Sequence, residues 1–464
     1  MKKTFTKVIS ATLLAALMLT GFASEAQQTT LASVTTLKKD KEVKADTVQA
    51  SKTTTNTTIA PKPADAAWTP VRRLWGYTFG DLYYAPHVPG NNSYGSETMY
   101  NGVPSNRNAF QFRRLYLGYD YDINQKFSAE VLLASEPNAN TGVNGSTSIQ
   151  NGDNLVDGKM AFWIKNFNLR VREIWNGTDL VVGELGTPGF ALNEPGSNGP
   201  NSLSEATWGY RFIEKTITDM HKNNSYDVGA ALQGTFDPKT KNFGYIFMVG
   251  NNTTSTLASA TNPNTGFYKI FYGDLWGKFL DKKLYVDIYA HTANTGQASA
   301  TTVPGGIDGQ SQTMFKIFAA YNTKPLSVGV EAYTQNFKNG VYSAAHGVQN
   351  ATVNGISFWA KGNFSNTWGW FARYDTYNPY TNFDPSVSAY TVQTNYGSYN
   401  AAATQYKEQF ITAGLDFQPA PKIHFSPNLW YINYSDQRAA TTTGYTGNDH
   451  TLVVRATFYY TFGK

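Results

Sequence analysis

The sequence contains no cysteine, and this absence excludes several kinds of site and anchor. Without a thiol the chain has no disulfide, no thiolate metal site and no lipid-modified cysteine. Charged residues make up only 15% of the 464 residues, and the six histidines are scattered without a spacing typical of metal ligands. We therefore predict no metal and no other cofactor.

Long hydrophobic runs are also missing beyond the N-terminus. A membrane helix needs about 18 consecutive apolar residues, and no later segment approaches that length. The one apolar run, residues 8–19, follows Lys2, Lys3 and Lys7 and precedes small residues around Ala26, which is the layout of a cleaved secretory signal. We predict a signal peptide over residues 1–26.

The next segment, residues 27–70, is rich in Thr, Lys and Ala and nearly free of aromatic residues. It is too polar to bury a core, so we predict a disordered periplasmic tether there and one β-domain over residues 71–464. Contact of the tether with peptidoglycan or a partner protein is an open alternative.

Alternation of apolar and polar residues is the strongest pattern in the chain. From Leu74 to Phe462 it recurs in about sixteen short stretches separated by turns. A period of two places all apolar residues of a strand on one face. In the last stretch that face contains Leu452, Val454, Ala456, Phe458, Tyr460 and Phe462.

The connections between these stretches are alternately short and long. This order, with 30 Tyr, 28 Phe and 10 Trp to form interfacial girdles, is typical of a transmembrane β-barrel. We predict an all-β, antiparallel barrel of about sixteen strands in a Gram-negative outer membrane, with short periplasmic turns and eight long extracellular loops, one of them at residues 338–351. The alternative is an aromatic-rich soluble β-protein.

Inward-facing charges follow from the same alternation. Fixed charges on a pore wall bias which ions pass. The predicted pore-lining residues are Arg170, Arg172, Lys316, Lys361, Arg373, Arg455, Glu130 and Glu331. The alternative is that opposite charges pair with one another and only stabilise the wall.

The alternation changes phase once, near Arg113 and Arg114, where a β-bulge would switch the faces. Such a bulge would either aim both guanidinium groups into the pore or leave one of them at the interface.

Several runs resemble the phosphate-selective porin family. They are residues 113–118, residues 182–188, residues 208–217 and the tripeptide Arg373-Tyr374-Asp375. The resemblance implies a sixteen-stranded, trimeric, water-filled channel. Phosphate-selective members line the pore with a ladder of basic residues, whereas basic and acidic residues alternate here, and the chain continues beyond Phe462 to Gly463 and Lys464.

The longest connection, residues 188–225, occupies the position at which porins of this size fold a loop into the lumen. We expect Arg211, Lys215 and Glu214 to lie in this constriction loop. An alternative is a solvated loop whose charges pair among themselves.

Charge totals limit the expected selectivity. The chain carries +5, of which residues 1–70 hold +4, so the barrel region has 29 basic and 28 acidic residues. We predict passive diffusion of small hydrophilic solutes or ions with at most mild anion preference. The predicted partners are outer-membrane lipid, these solutes and two further copies in a homotrimer, without nucleic acid.

Other functions receive less support from the sequence. No enzyme motif is present, and we predict that the protein is not an enzyme; a barrel hydrolase using His291 and Asp287 is a remote alternative. A structural or adhesive barrel with a plugged lumen is the main alternative to the channel.

Overall fold

The computed structural model describes most of the predicted barrel domain. The described residues are 68–90, 100, 103–135, 162–189, 213–221, 225–252, 268–298, 307–392 and 404–463. The predicted signal peptide and nearly all of the predicted tether lie outside them, so both stay predictions. Within the described part of the chain, no helix is long and apolar enough to cross a membrane.

The described residues form seventeen β-strands and one short helix, which we number in chain order. The first nine strands are β1 Arg72–His87, β2 Arg107–Asp122, β3 Phe127–Ser135, β4 Trp163–Trp175, β5 Thr178–Gly186, β6 Tyr226–Thr235, β7 Phe243–Gly250, β8 Ile270–Phe279 and β9 Leu284–Ala298. The others are β10 Ile307–Asn322, β11 Leu326–Ser343, β12 Gly347–Asn363, β13 Trp368–Asn378, β14 Thr391–Val392, β15 Tyr406–Ala420, β16 Ile423–Asp436 and β17 Asp449–Phe462. Helix α1 is Ile217–Met220.

Sixteen of these strands close into a single antiparallel barrel. Each pairs with its neighbours in chain order, and β17 returns to β1 with a ladder that runs from Gly76↔Phe462 to His87↔Leu452. The two-residue β14 lies outside the ring, because β13 pairs directly with β15. The predicted fold is confirmed. Closure leaves no unpaired edge, which lipid would not satisfy.

The two faces of the wall differ as the alternation predicts. In β17, Val454 is 49% exposed, whereas Arg455 and Thr457 are 2% and 1% exposed. The same contrast recurs in β12, where Ile356 and Phe358 are exposed and Ser357 is buried. A closed barrel with an apolar outside and charged or polar groups inside is the architecture of bacterial outer-membrane proteins, and we assign the chain to that membrane.

The predicted bulge in β2 is confirmed at Arg113. Arg114 pairs with Phe79 and Phe112 pairs with Gly80, which leaves Arg113 as the extra residue of the ladder. Arg113 is buried inside the barrel, while Arg114 is half-buried. The bulge therefore turns one guanidinium group fully inward.

One predicted loop is wrong. Residues 338–351 are mostly strand, because β11 continues to Ser343 and β12 begins at Gly347, with only residues 344–346 between them. This hairpin contains many polar residues and lacks the clear alternation of a lipid-facing strand. The alternation from which the other strands were predicted is therefore absent from this part of the ladder.

Candidate functional site

A segment of the longest loop, residues 213–221, lies inside the barrel. Ile213, Ile217 and Met220 are buried, and helix α1 is capped by the Thr216 hydroxyl, which accepts a hydrogen bond from the Asp219 amide at 3.4 Å. Gly355 of β12 makes room for it: a Cβ there would lie 3.0 Å from the Ile217 Cδ1 atom and 2.2 Å from the Tyr333 ring. The described part of the loop therefore packs against inward-facing residues of the wall, and the constriction itself stays a prediction.

Glu214 attaches the segment to one side of the wall. Its carboxylate accepts a hydrogen bond from Arg455 Nη1 at 2.6 Å and another from Arg113 Nη2. The Arg113 Nε atom also lies 3.5 Å from a carboxylate oxygen of Asp81. Arg455 Nε donates to Asn428 Oδ1 at 2.6 Å. Two arginines and two carboxylates thus neutralise one another in a buried cluster.

Strands β11 and β13 hold the same segment as well. Arg373 of β13 donates to the Ile213 carbonyl at 3.1 Å and to the Lys215 carbonyl. Thr218 donates to Glu331 Oε1 of β11 at 3.2 Å. The imidazole of His221 stacks on the Tyr377 ring with a centroid distance of 3.4 Å.

These contacts make the segment a bridge across the interior. Strands β2 and β11 are seven places apart around the ring of sixteen, which is almost diametrically opposite. The start of the loop is held as well, because Lys316 Nζ donates to the Gly189 carbonyl and lies 5.5 Å from the centre of the Tyr289 ring.

The predicted pore-lining arginines all have carboxylate partners. Arg170 Nη1 lies 3.1 Å from Asp179 Oδ2, and Arg172 pairs with Asp122. Arg373 pairs with Asp375, in addition to the loop carbonyls, and Arg455 pairs with Glu214. Of the predicted acids, Glu130 accepts from Asn168 Nδ2 at 3.5 Å. Of these carboxylate partners, sequence reasoning named only Glu214 as a site residue, although the inward parity of Asp375, two residues from Arg373 on the same strand, was a usable signal.

Two lysines and one loop arginine complete the predicted set. Lys361 and Asp416 line one cavity of about 190 Å³ near the short turns. Lys215 is half-buried in the bridging segment. Arg211 lies outside the described residues, so its position stays a prediction.

The end of the barrel with the long loops carries a second inward-packed segment. Tyr390, immediately before β14, lies against the rings of Tyr380 and Phe383, with centroid distances of 4.9 Å and 5.0 Å. The connection between β16 and β17 covers this segment, since the Ala439 amide donates to the Pro385 carbonyl at 2.9 Å. This aromatic group joins the buried cluster that contains Ile217.

Asp384 fixes the fold of that second segment. Its carboxylate accepts hydrogen bonds from the Ser386 hydroxyl and the Ser386 amide, at 2.7 Å and 2.8 Å, and contacts His346 Nε2 at 2.8 Å. These hydrogen bonds, chiefly that of the Ser386 hydroxyl, lower the pKa of Asp384 to about 2.

The pair considered for a barrel hydrolase, His291 and Asp287, is not assembled. His291 Nδ1 lies 2.8 Å from the Tyr289 hydroxyl. Residues four positions apart on one strand are separated by about 13 Å along it, which is too far for a hydrogen bond.

Comparison with known proteins gives similarity at the level of architecture. No family model matches the sequence, and no curated protein matches it significantly. The phosphate-selective type therefore stays a prediction. Solved structures with a similar chain course include the anion-selective porin from Comamonas acidovorans, at 12% identity and a TM-score of 0.47, covering 85% of this chain and 100% of that one.

Two further structures are similar to the same extent. OprB of Pseudomonas putida, in its high-pH structure, has 10% identity and a TM-score of 0.48, covering 85% of this chain and 94% of that one. Outer-membrane expressed OmpT of Vibrio cholerae has 10% identity and a TM-score of 0.46, covering 86% and 99%. The barrel assignment itself rests on the closed ladder of this chain.

Proposed function

We propose that the protein is an outer-membrane porin that lets small hydrophilic solutes or ions diffuse passively through the barrel. The observation that carries the proposal is the contrast between the two faces of one closed wall. Apolar side chains such as Val454 and Phe358 face outward, whereas the charged side chains of Arg170, Arg373 and Glu331 face inward. A wall with an apolar outside and a charged inside suits an aqueous lumen within a membrane.

The bridging segment would set the size limit of this channel. Residues 213–221 cross the lumen between β2 and β11, so solutes would pass beside them rather than through a wide, empty barrel. This extends the predicted constriction from Arg211, Lys215 and Glu214 to the wall residues that hold the loop.

Paired charges argue for mild selectivity. Strong selectivity needs one sign of charge to dominate the narrow zone. Here the arginines named above each lie beside a carboxylate, so neither sign dominates around them. We propose at most a mild anion preference.

Planar-bilayer recording of the purified protein tests both parts of the proposal. We expect step-wise conductance increases and a chloride-to-potassium permeability ratio between about 1 and 10 in a salt gradient. A ratio far above about ten would show that unpaired basic groups dominate the path. A ratio below one would contradict the anion preference.

A homotrimer is part of the proposal. The structures similar to this chain include OmpT of Vibrio cholerae in a trimer form. Sedimentation in detergent, with the bound detergent measured, is expected to give three chains per particle. A monomer that conducts normally would refute the trimer and leave the channel intact.

A plugged structural barrel is a second candidate, and one observation favours it. Two segments pack inward: residues 213–221, and the part of the β13–β15 connection that includes Tyr380, Phe383 and Tyr390. If they fill the lumen, the folded protein would show no conductance, and removal of residues 379–392 would create it. Conductance of the intact protein would exclude this candidate.

A further inference from the structure

Two histidines and one aspartate meet where the first and last strands of the barrel join. His87 ends β1, and Asp449 and His450 begin β17, at the end of the barrel that carries the long loops. His87 and Asp449 are 362 residues apart in the sequence, so only closure of the barrel brings them together.

The three side chains converge on a small volume. His87 Nε2 lies 2.8 Å from Asp449 Oδ1, and His450 Nδ1 lies 3.9 Å from the same oxygen. One ligand atom from each residue can be chosen so that all three lie within 4.8 Å of one another. The two imidazole rings stack with a centroid distance of 4.3 Å.

A backbone hydrogen bond and a ring contact support this arrangement. The His450 amide donates to Asp449 Oδ1 at 2.7 Å, and the His450 ring lies 5.6 Å from the Tyr431 ring of β16. The ladder between β1 and β17 shifts register between Tyr84 and His87, and His87↔Leu452 is the pair beyond that shift. The cluster therefore lies next to the register shift in the β1–β17 ladder that closes the barrel.

We propose that His87, Asp449 and His450 form a binding site for a divalent transition-metal ion of the Zn²⁺ class. Donor atoms around tetrahedral Zn²⁺ are about 3.3 Å apart, given metal–ligand bonds of about 2.0–2.2 Å. The observed separations of 2.8 Å and 3.9 Å lie on either side of that value. The side chains of His87, Asp449 and His450 are 41%, 29% and 40% exposed, so they have room to rotate around an ion.

The donor set decides the kind of metal. Two imidazole nitrogens and one carboxylate oxygen suit Zn²⁺, Cu²⁺, Ni²⁺ or Co²⁺, whereas Ca²⁺ and Mg²⁺ prefer oxygen ligands alone. The partial exposure of all three groups leaves the fourth position to water. A bound ion would link β1 directly to β17 and stabilise their pairing beyond the register shift.

Titration calorimetry with ZnCl₂ on the folded, full-length protein tests the site. The protein must carry no histidine tag, and the absence of cysteine removes competing thiolates. We expect one Zn²⁺ per chain, Co²⁺ absorption bands typical of a tetrahedral site, and a higher unfolding temperature in Zn²⁺. His87→Gln and His450→Gln should each weaken binding by about tenfold or more.

His346→Gln is the matched control. His346 Nε2 also contacts an aspartate, Asp384, at 2.8 Å, but these two residues do not belong to the three-residue cluster. This variant should bind Zn²⁺ like the wild type. Absence of binding to the wild type, binding that survives His87→Gln and His450→Gln, or equal loss in His346→Gln would each overturn the site. None of these measurements uses conductance, so their result does not depend on whether the protein is a channel.

Discussion

Each of the four predicted pore-lining arginines lies beside a carboxylate. Arg170 lies beside Asp179, Arg172 beside Asp122 and Arg373 beside Asp375. A buried charge is costly unless it is paired, so these carboxylates allow guanidinium groups to face inward. The predicted alternative, in which opposite charges stabilise the wall, and the predicted mild selectivity both agree with this pairing.

On the outer wall, Val454 provides the sharpest test at the residue scale. It lies near the middle of β17, between Leu429 of β16 and Tyr84 of β1, and is 49% exposed. We expect Val454→Arg to lower the free energy of unfolding by about 2–4 kcal/mol, because lipid cannot solvate the guanidinium group.

Denaturant unfolding in liposomes measures this change, and Val454→Leu is the matched control. The leucine variant should unfold close to the wild type. A cost below about 1 kcal/mol for Val454→Arg would place the position near the interface instead of the midplane.

Among the elements, the long loop after β5 has the largest consequence for passage. The carbonyl groups of Ile213 and Lys215 accept hydrogen bonds from the wall. The Glu214 carboxylate lies between Arg113 and Arg455. The backbone at Glu214 has a positive φ of 78°. The loop carboxylate and the wall arginines therefore form one charged cluster.

Substitutions in this loop should change ion preference in opposite directions. Arg211→Ala with Lys215→Ala removes two positive charges, so we expect a shift toward cations. Glu214→Gln leaves Arg113 and Arg455 with one negative charge fewer, so we expect a shift toward anions, each shift being less than about tenfold in permeability ratio. Reversal potentials in planar bilayers measure both.

Partial loop deletion is the companion experiment, and we expect it to raise conductance. Well-folded variants with unchanged ion preference and conductance would show that the loop does not control the path. Circular dichroism confirms folding before each recording.

We expect the connection between β13 and β15 to lose stability at acidic pH. The folded pKa of Asp384 is about 2, below the ordinary value of about 3.9. A lowered folded pKa contributes stability above the unfolded pKa, and this contribution is lost as the pH falls through the folded pKa. We therefore expect the segment to loosen between about pH 4 and pH 2.

Pepsin cleavage near Tyr380, Phe383 and Tyr390 measures that loosening. Asp384→Asn should be cleaved already at about pH 4, because it lacks the carboxylate at every pH. Equal cleavage of the wild type and the variant across this range would show that the Asp384 hydrogen bonds do not hold the segment.

At the scale of the whole molecule, closure is the property on which every other feature depends. The β1–β17 ladder completes the ring, holds Arg455 beside Glu214 and brings His87 to Asp449. In lipid each unsatisfied backbone group costs several kcal/mol, so a partly open sheet is not a stable intermediate form.

Deletion of residues 449–464 tests this dependence. It removes β17 and leaves β1 and β16 with open edges, so we expect no folded barrel in liposomes by circular dichroism and protease protection. Deletion of residues 27–66 is the control, since every strand of the described barrel begins at Arg72 or later, and it should leave folding and conductance unchanged. A barrel that folds without β17 would contradict the argument.

The sequence by itself determined the strands, their faces and the bulge at Arg113. These features are local, because a period of two along the chain places each side chain on one of two faces. It failed at residues 338–351, because this hairpin lacks the clear alternation of the other strands. Inward parity of Arg170 and Arg373 followed from the same rule.

Only the tertiary structure decided which inward groups meet. Glu214 lies 101 residues from Arg113 and 241 residues from Arg455, and His87 lies 362 residues from Asp449. Such contacts depend on the register of the closing ladder and on the path of the loop across the lumen. Neither is encoded in a local pattern, because both are fixed only when the ring closes.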